Sequence, residues 1–130
     1  MPTGSVILNK NQAAQKIERI AYQMWENNSK EKEIVIAGIA VRGYKLAEIL
    51  AKKLEEVSEL KVVLVKITVN KKEPISEEPS IDCDPKLIKN KSVIVVDDVL
   101  NSGRTLLYAL TPFLKFPVKR LSVCTLLNRS

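Results

Sequence analysis

The 130-residue chain contains no histidine. That absence removes Ser-His-Asp and Cys-His catalysis, and nearly all structural and catalytic zinc sites. Any chemistry must rest on carboxylates, Lys, Arg, hydroxyls, backbone N–H groups or an oxygen-loving cation. Cysteine is scarce as well. Cys83 and Cys124 are too few for a disulfide framework, so a reduced, cytoplasmic setting is the default. Neither thiol has a cation-rich helix-start setting, and both are read as structural. No apolar run approaches the ~18 residues that a membrane span takes. The N-terminal Met1-Pro2-Thr3-Gly4-Ser5 lacks the basic-then-apolar pattern of a secretion signal.

What is present is the mix of an ordinary globular domain, with 45% hydrophobic and 28% charged residues. The length fits one domain over residues 1–130, able to bury a core without staples. No linker or internal repeat divides it. Lys and Arg total 21 against 15 Asp and Glu, a net charge of +6. Such a surface favours an anionic partner, a phosphorylated small molecule or a nucleic acid. The plain alternative is a charge that serves solubility alone.

The elements alternate. Ser5 to Leu8 is a short extended segment. Residues 11–26 read as a helix, with Asn11 as cap and Ala13, Ile17, Ile20, Ala21, Met24 and Trp25 at three- and four-residue steps. Residues 34–37 form an apolar run suited to a strand covered on both faces, and 38–43 a turn. Residues 44–57 are helical, with Leu46, Ala47, Leu50, Leu54 and Val57 on one stripe. Residues 61–69 are a β-branched strand in which Lys66 interrupts one face, which places it near an edge or a site. Residues 70–84 are polar and proline-bearing and read as a mobile loop. A buried strand at 92–96, a loop at 97–102, a helix at 103–114 with Leu106, Leu107, Leu110, Phe113 and Leu114 inward, and a strand at 120–127 complete the chain. This order predicts an α/β fold, a parallel-sheet three-layer sandwich with right-handed crossovers. Ligands of such sheets sit at the carboxyl ends of strands.

Two loops leave such ends with unusual chemistry. In Val93-Ile94-Val95-Val96-Asp97-Asp98-Val99-Leu100-Asn101-Ser102-Gly103-Arg104-Thr105, four buried apolar residues precede two adjacent carboxylates and a polar helix start. A helix start offers unpaired N–H groups and a positive dipole end, which bind phosphate. Gly103 permits close backbone approach, and Ser102 and Thr105 add hydroxyl donors. Asp97 and Asp98 repel that phosphate and suit sugar hydroxyls or a magnesium ion beside it. A ribose 5-phosphate fits both ends. A generic strand-turn-helix leaves the two aspartates awkwardly placed. A Walker A loop is excluded because Asp98 stands where its first Gly is needed. A dinucleotide fingerprint needs three glycines, and the 38–43 turn has two.

The run Val93–Thr105 resembles the phosphoribosyl-pyrophosphate (PRPP) signature of type I phosphoribosyltransferases. Its form is most similar to the bacterial pyrimidine operon regulators that also act as uracil phosphoribosyltransferases. Ile36-Ala37-Gly38-Ile39-Ala40-Val41-Arg42-Gly43 resembles that group's pyrophosphate loop, and the likeness covers most of residues 6–129. The resemblance implies that Asp97 and Asp98 hold the ribose hydroxyls and help place Mg2+. It implies that Asn101, Ser102, Gly103, Arg104 and Thr105 cradle the 5-phosphate. Ala40, Val41, Arg42 and Gly43 would line the pyrophosphate, with Arg42 supplying charge for the leaving group. Residues 70–84 fall where the family has a flap, from which Lys71 and Lys72 would reach pyrophosphate, although a solvated role suits them better. At least a homodimer is implied.

The sequence also departs from that pattern. Asn101 stands where some members acting on 6-oxopurines carry an acid, which weakens hypoxanthine and guanine and leaves uracil, other bases or no base; the motif similarity favours uracil. The chain ends just after its last strand, where relatives continue from an Arg like Arg129 into a hood that binds the base. The expectation is a chain truncated at its C-terminus, or one that has lost base binding. Three readings follow: a phosphoribosyltransferase taking PRPP and a nucleobase, a nucleotide-sensing regulator that binds RNA, and an inactive ribose-phosphate-binding module. Lys10, Lys16, Arg19, Lys30 and Lys32 are candidates for RNA contact. Aromatics are only 5% of residues and do not interleave with them, so RNA is weakly supported.

Overall fold

The computed structural model describes residues 10–39, 42–68, 80–82, 85–100, 103–115 and 117–128. Its helices are α1 (Lys10–Asn27), α2 (Arg42–Val57) and α3 (Gly103–Leu114). Its strands are β1 (Glu33–Ile39), β2 (Lys61–Thr68), β3 (Ser80–Ile81), β4 (Ser92–Leu100) and β5 (Arg120–Asn128). A 3-10 turn occupies Pro85–Leu87. The sheet runs β3-β2-β1-β4-β5. All pairings are parallel except the short antiparallel β2–β3 pair.

Alternation along the central strands builds two cores. Ile34 and Ile36 of β1 and Ile94 and Val96 of β4 pack against Leu46, Ala47, Leu50 and Leu54 of α2 and Met24 of α1. Val35, Ala37, Ile39, Val93 and Val95 face the other way, onto Ala109 and Phe113 of α3 and Ile88. Strands buried on both faces must be apolar throughout, which is why β1 reads as a continuous run. The result is the expected three-layer α/β sandwich.

Several boundaries move. Among the described residues α1 already includes Lys10, so Asn11 lies within the helix. Gly38 belongs to β1, opposite Lys66 and Val96, and is not in a turn. Arg42 and Gly43 open α2. The loop expected at 97–102 is in part strand. Asp97, Val99 and Leu100 pair with Thr125, Leu127 and Asn128, because β5 runs on far enough to supply partners. The segment read as a loop over 70–84 contributes β3. Trp25, Leu107 and Leu114, expected inward, are 40%, 67% and 72% exposed. One stripe of α3, carrying Ala109, Phe113 and the partly buried Leu110, is enough to cover the sheet, so Leu107 and Leu114 turn outward. The extended segment 5–8 lies outside the described residues.

The amino ends of the strands are stapled together. Buried Asn28 donates from Nδ2 to the Met24 carbonyl (2.8 Å) and accepts from Ser92 Oγ (2.7 Å), closing α1 onto β4. Lys91 pairs with Glu33 at 3.0 Å, Lys119 with Glu31, and Arg120 Nη1 donates to the Asn27 carbonyl at 2.9 Å. The carboxyl ends are left for function.

Candidate active site

Strand order reverses between β1 and β4. From β1 the chain passes through α2 to β2 on one side, and from β4 through α3 to β5 on the other. The two helices cover opposite faces, which makes the carboxyl ends of these strands the topological switch point, where open α/β sheets form the crevice that binds ligands. The last β1–β4 pair is Gly38 with Val96. Asp97 is the next residue, standing just where β1 turns away while β5 still pairs with β4.

Two glycines set how closely α2 approaches these strand ends. A Cβ on Gly38 would lie 2.4 Å from the Tyr44 Cα and 2.6 Å from the Gly43 carbonyl. A Cβ on Gly43 would lie 2.6 Å from the Val96 carbonyl, 3.1 Å from the Asp97 Cα and 3.3 Å from Asp97 Oδ1. Only hydrogen fits at either position. The first turn of α2 is thereby seated on the end of β4, next to the first aspartate. Asp97 itself is 8% exposed. Neither α2 nor α3 carries an acid in its first turn. Their positive dipole ends are therefore not neutralised from within, which suits a bound anion.

Of the residues singled out from sequence, the structure brings Gly43 and Asp97 into contact and puts Arg42, exposed and already engaged, on the same turn of α2. Asp98 follows within β4, and Gly103, Arg104 and Thr105 open α3. Ala40, Val41, Asn101, Ser102, Arg129, Lys71 and Lys72 lie outside the described residues. Sequence reading missed Tyr44, whose ring carries the Lys66 ammonium 4.9 Å from its centroid. The break in apolar alternation at Lys66 was the available signal.

Mg2+ prefers hard oxygen donors and commonly takes one or two carboxylates together with substrate phosphates. Asp97 puts one carboxylate at the crevice. Among the described residues no cluster of three or more His, Cys, Asp or Glu builds an all-protein cage. The residues fit an ion that arrives with a phosphorylated ligand.

Known proteins share this fold. The structure resembles a hypoxanthine-guanine phosphoribosyltransferase from Bacillus anthracis (TM-score 0.74, 23% identity, 98% of this chain and 73% of that one). It also resembles a purine phosphoribosyltransferase from Pyrococcus horikoshii (TM-score 0.67, 26% identity, 95% and 77%). The fold is that of the type I phosphoribosyltransferases. The family model for the phosphoribosyl transferase domain matches residues 4–130, and the chain belongs to that family. Curated relatives named bifunctional protein PyrR include those of Bacillus pumilus (36% identity, 81% of this chain and 63% of the relative) and Clostridium novyi (33%, 85% and 66%). The chain spans just under two thirds of the length of these two.

Proposed function

We propose that this domain binds PRPP in the β1–β4 crevice and transfers its phosphoribosyl group to a nucleobase, with uracil favoured, releasing pyrophosphate. The observation that carries this reading is the contact of Gly43 with Asp97. It unites a loop suited to pyrophosphate with an acid suited to ribose hydroxyls. In this reading Asp97 and Asp98 grip the ribose diol. Asn101, Ser102, Gly103, Arg104 and Thr105 hold the 5-phosphate at the start of α3. Ala40, Val41, Arg42 and Gly43 receive the pyrophosphate, and Arg129 leads toward the base. Mg2+, held by Asp97 and Asp98 directly or through water, supplies charge neutralisation at the leaving group when bound.

The transition state resembles an oxocarbenium ion, so the chain needs no covalent nucleophile and no histidine. Its work is to fix the ribose, to hold donors where negative charge develops and to bring the base nitrogen to C1. The net charge of +6 favours one further reading, a nucleotide-sensing regulator that contacts RNA through its basic surface. Calorimetry with PRPP and Mg2+ tests the pocket. Pyrophosphate release with uracil, adenine, guanine, hypoxanthine, xanthine and orotate tests the reaction. Turnover with one base supports the transferase. Nucleotide binding without turnover, joined to salt-dependent RNA affinity, supports the regulator. No heat with PRPP or any nucleoside monophosphate overturns both.

A further inference from the structure

We propose that Lys66 is a second cation serving the pyrophosphate end of the crevice, held in place by the ring of Tyr44; the inference rests on the PRPP reading above. Lys66 lies near the carboxyl end of β2, directly opposite Gly38 of β1. Gly38 is the residue against which the α2 first turn is pressed. The Lys66 side chain lies on the α2 side of the sheet, where its ammonium sits 4.9 Å from the centre of the Tyr44 ring. Tyr44 follows Gly43 immediately, and Gly43 touches Asp97. A continuous row of contacts thus runs from Lys66 through Tyr44 and Gly43 to the acid of the site.

The backbone of Lys66 is itself fixed. Its N–H donates to Asp82 Oδ1 at 2.7 Å, and its carbonyl accepts from the Asp82 N–H at 3.2 Å. A cation on the α2 side of β2 is unexpected as packing, since its neighbours Val62 and Leu64 on that side join the apolar core. Stacking over an aromatic ring limits where a long, exposed side chain points. Here it holds the ammonium against Tyr44, a residue of the first turn of α2, the turn assigned to the anionic leaving group. Arg42 belongs to that turn and Lys66 meets it from the neighbouring strand, with the Glu48 and Asp82 carboxylates also acting on Tyr44.

The prediction separates the two ends of the ligand. Lys66→Met, at an exposed position, is expected to weaken PRPP and free pyrophosphate by about threefold to fivefold, the scale of one partly screened charge contact. The affinity for uridine monophosphate, which has no pyrophosphate, should stay within about twofold, a shift small enough to need no lost contact. Lys66→Arg should restore pyrophosphate affinity, and Tyr44→Leu should reproduce part of the loss. The affinities for all three ligands are measured by calorimetry with Mg2+ on the full chain. Unchanged pyrophosphate affinity in Lys66→Met, or an equal loss for uridine monophosphate, overturns the role of Lys66 while leaving the PRPP pocket standing. Wild-type protein that binds none of the ligands overturns the pocket and this inference with it.

Discussion

Gly43 and Asp97, one opening a helix and the other near the end of a distant strand, are packed so closely that no side-chain carbon fits between them. A Cβ on Gly43 would meet the Val96 carbonyl at 2.6 Å and Asp97 Oδ1 at 3.3 Å. The first obstacle is backbone, which cannot rotate away. The contact follows from the sheet: β1 and β4 are parallel neighbours, so the element that follows β1 must begin beside the end of β4.

Gly43→Ala is therefore expected to push the α2 first turn off β4. Overpacking of this kind costs about 1–3 kcal/mol. PRPP affinity should fall about tenfold or more, since each tenfold is ~1.4 kcal/mol. Thermal melts and calorimetry on the same sample check both effects. A variant with wild-type melting and wild-type affinity would show that the close approach is incidental.

Asp98→Asn keeps the shape of the side chain and removes its charge. If Asp98 grips the diol and helps to place Mg2+, kcat/KM should drop on the order of 10²-fold or more, roughly 3 kcal/mol of transition-state stabilisation. Steady-state kinetics with the preferred base measure it. Turnover near wild type would remove Asp98 from the site.

How much of this was readable in advance depends on which signals are local. The stripe Leu46, Ala47, Leu50, Leu54 repeats within α2 and is buried as expected. The apolar runs of β1 and β4 were equally plain. Strand ends were not, because pairing extends a strand past its apolar residues. Asp97 and Leu100 are held in β4 by Thr125 and Asn128, partners that local pattern does not reveal. β3 has only two residues and exists through its pairing with Ile67 and Thr68. Leu107 and Leu114 misled for the opposite reason: apolar character says a residue can be buried, while the sheet decides which stripe is covered. Within the site, residue types were legible from the motif. The contact between Gly43 and Asp97 was not, since it is a product of strand order.

The staple at the far end of the sheet predicts a stability effect without a functional one. Asn28→Ala removes the donor to Met24 and leaves buried Ser92 without its acceptor. Leaving buried polar groups unmatched costs about 1–3 kcal/mol, a fall in Tm of roughly 4–10 °C for a domain of this size. PRPP affinity below the transition should be unchanged, because the staple lies at the amino ends of the strands. A variant that melts like wild type would mean that water replaces the lost bonds. Weakened binding in the folded state would mean that the two ends are coupled.

Alkaline stability is expected to depend in part on Cys124. Burial pushes its thiol above the ordinary value of 9.0, with Lys16 pulling partly the other way. The folded chain then keeps a proton that the unfolded chain releases at lower pH. The stability this contributes is full below the unfolded value and is lost as pH rises through the folded one. The Tyr44 phenol shifts in the same direction from 10.0, through burial first and then through Glu48 and Asp82. Melting temperature should be level near neutral pH and decline above about pH 9. Cys124→Ala should remove the earlier part of that decline, and Tyr44→Phe the later part. The same burial keeps the thiolate scarce at neutral pH, so iodoacetamide should label Cys124 far more slowly in folded protein than in urea, followed by peptide mass mapping. Equal labelling rates in the two states would show that Cys124 is neither shielded nor shifted, and the alkaline decline would then need another origin.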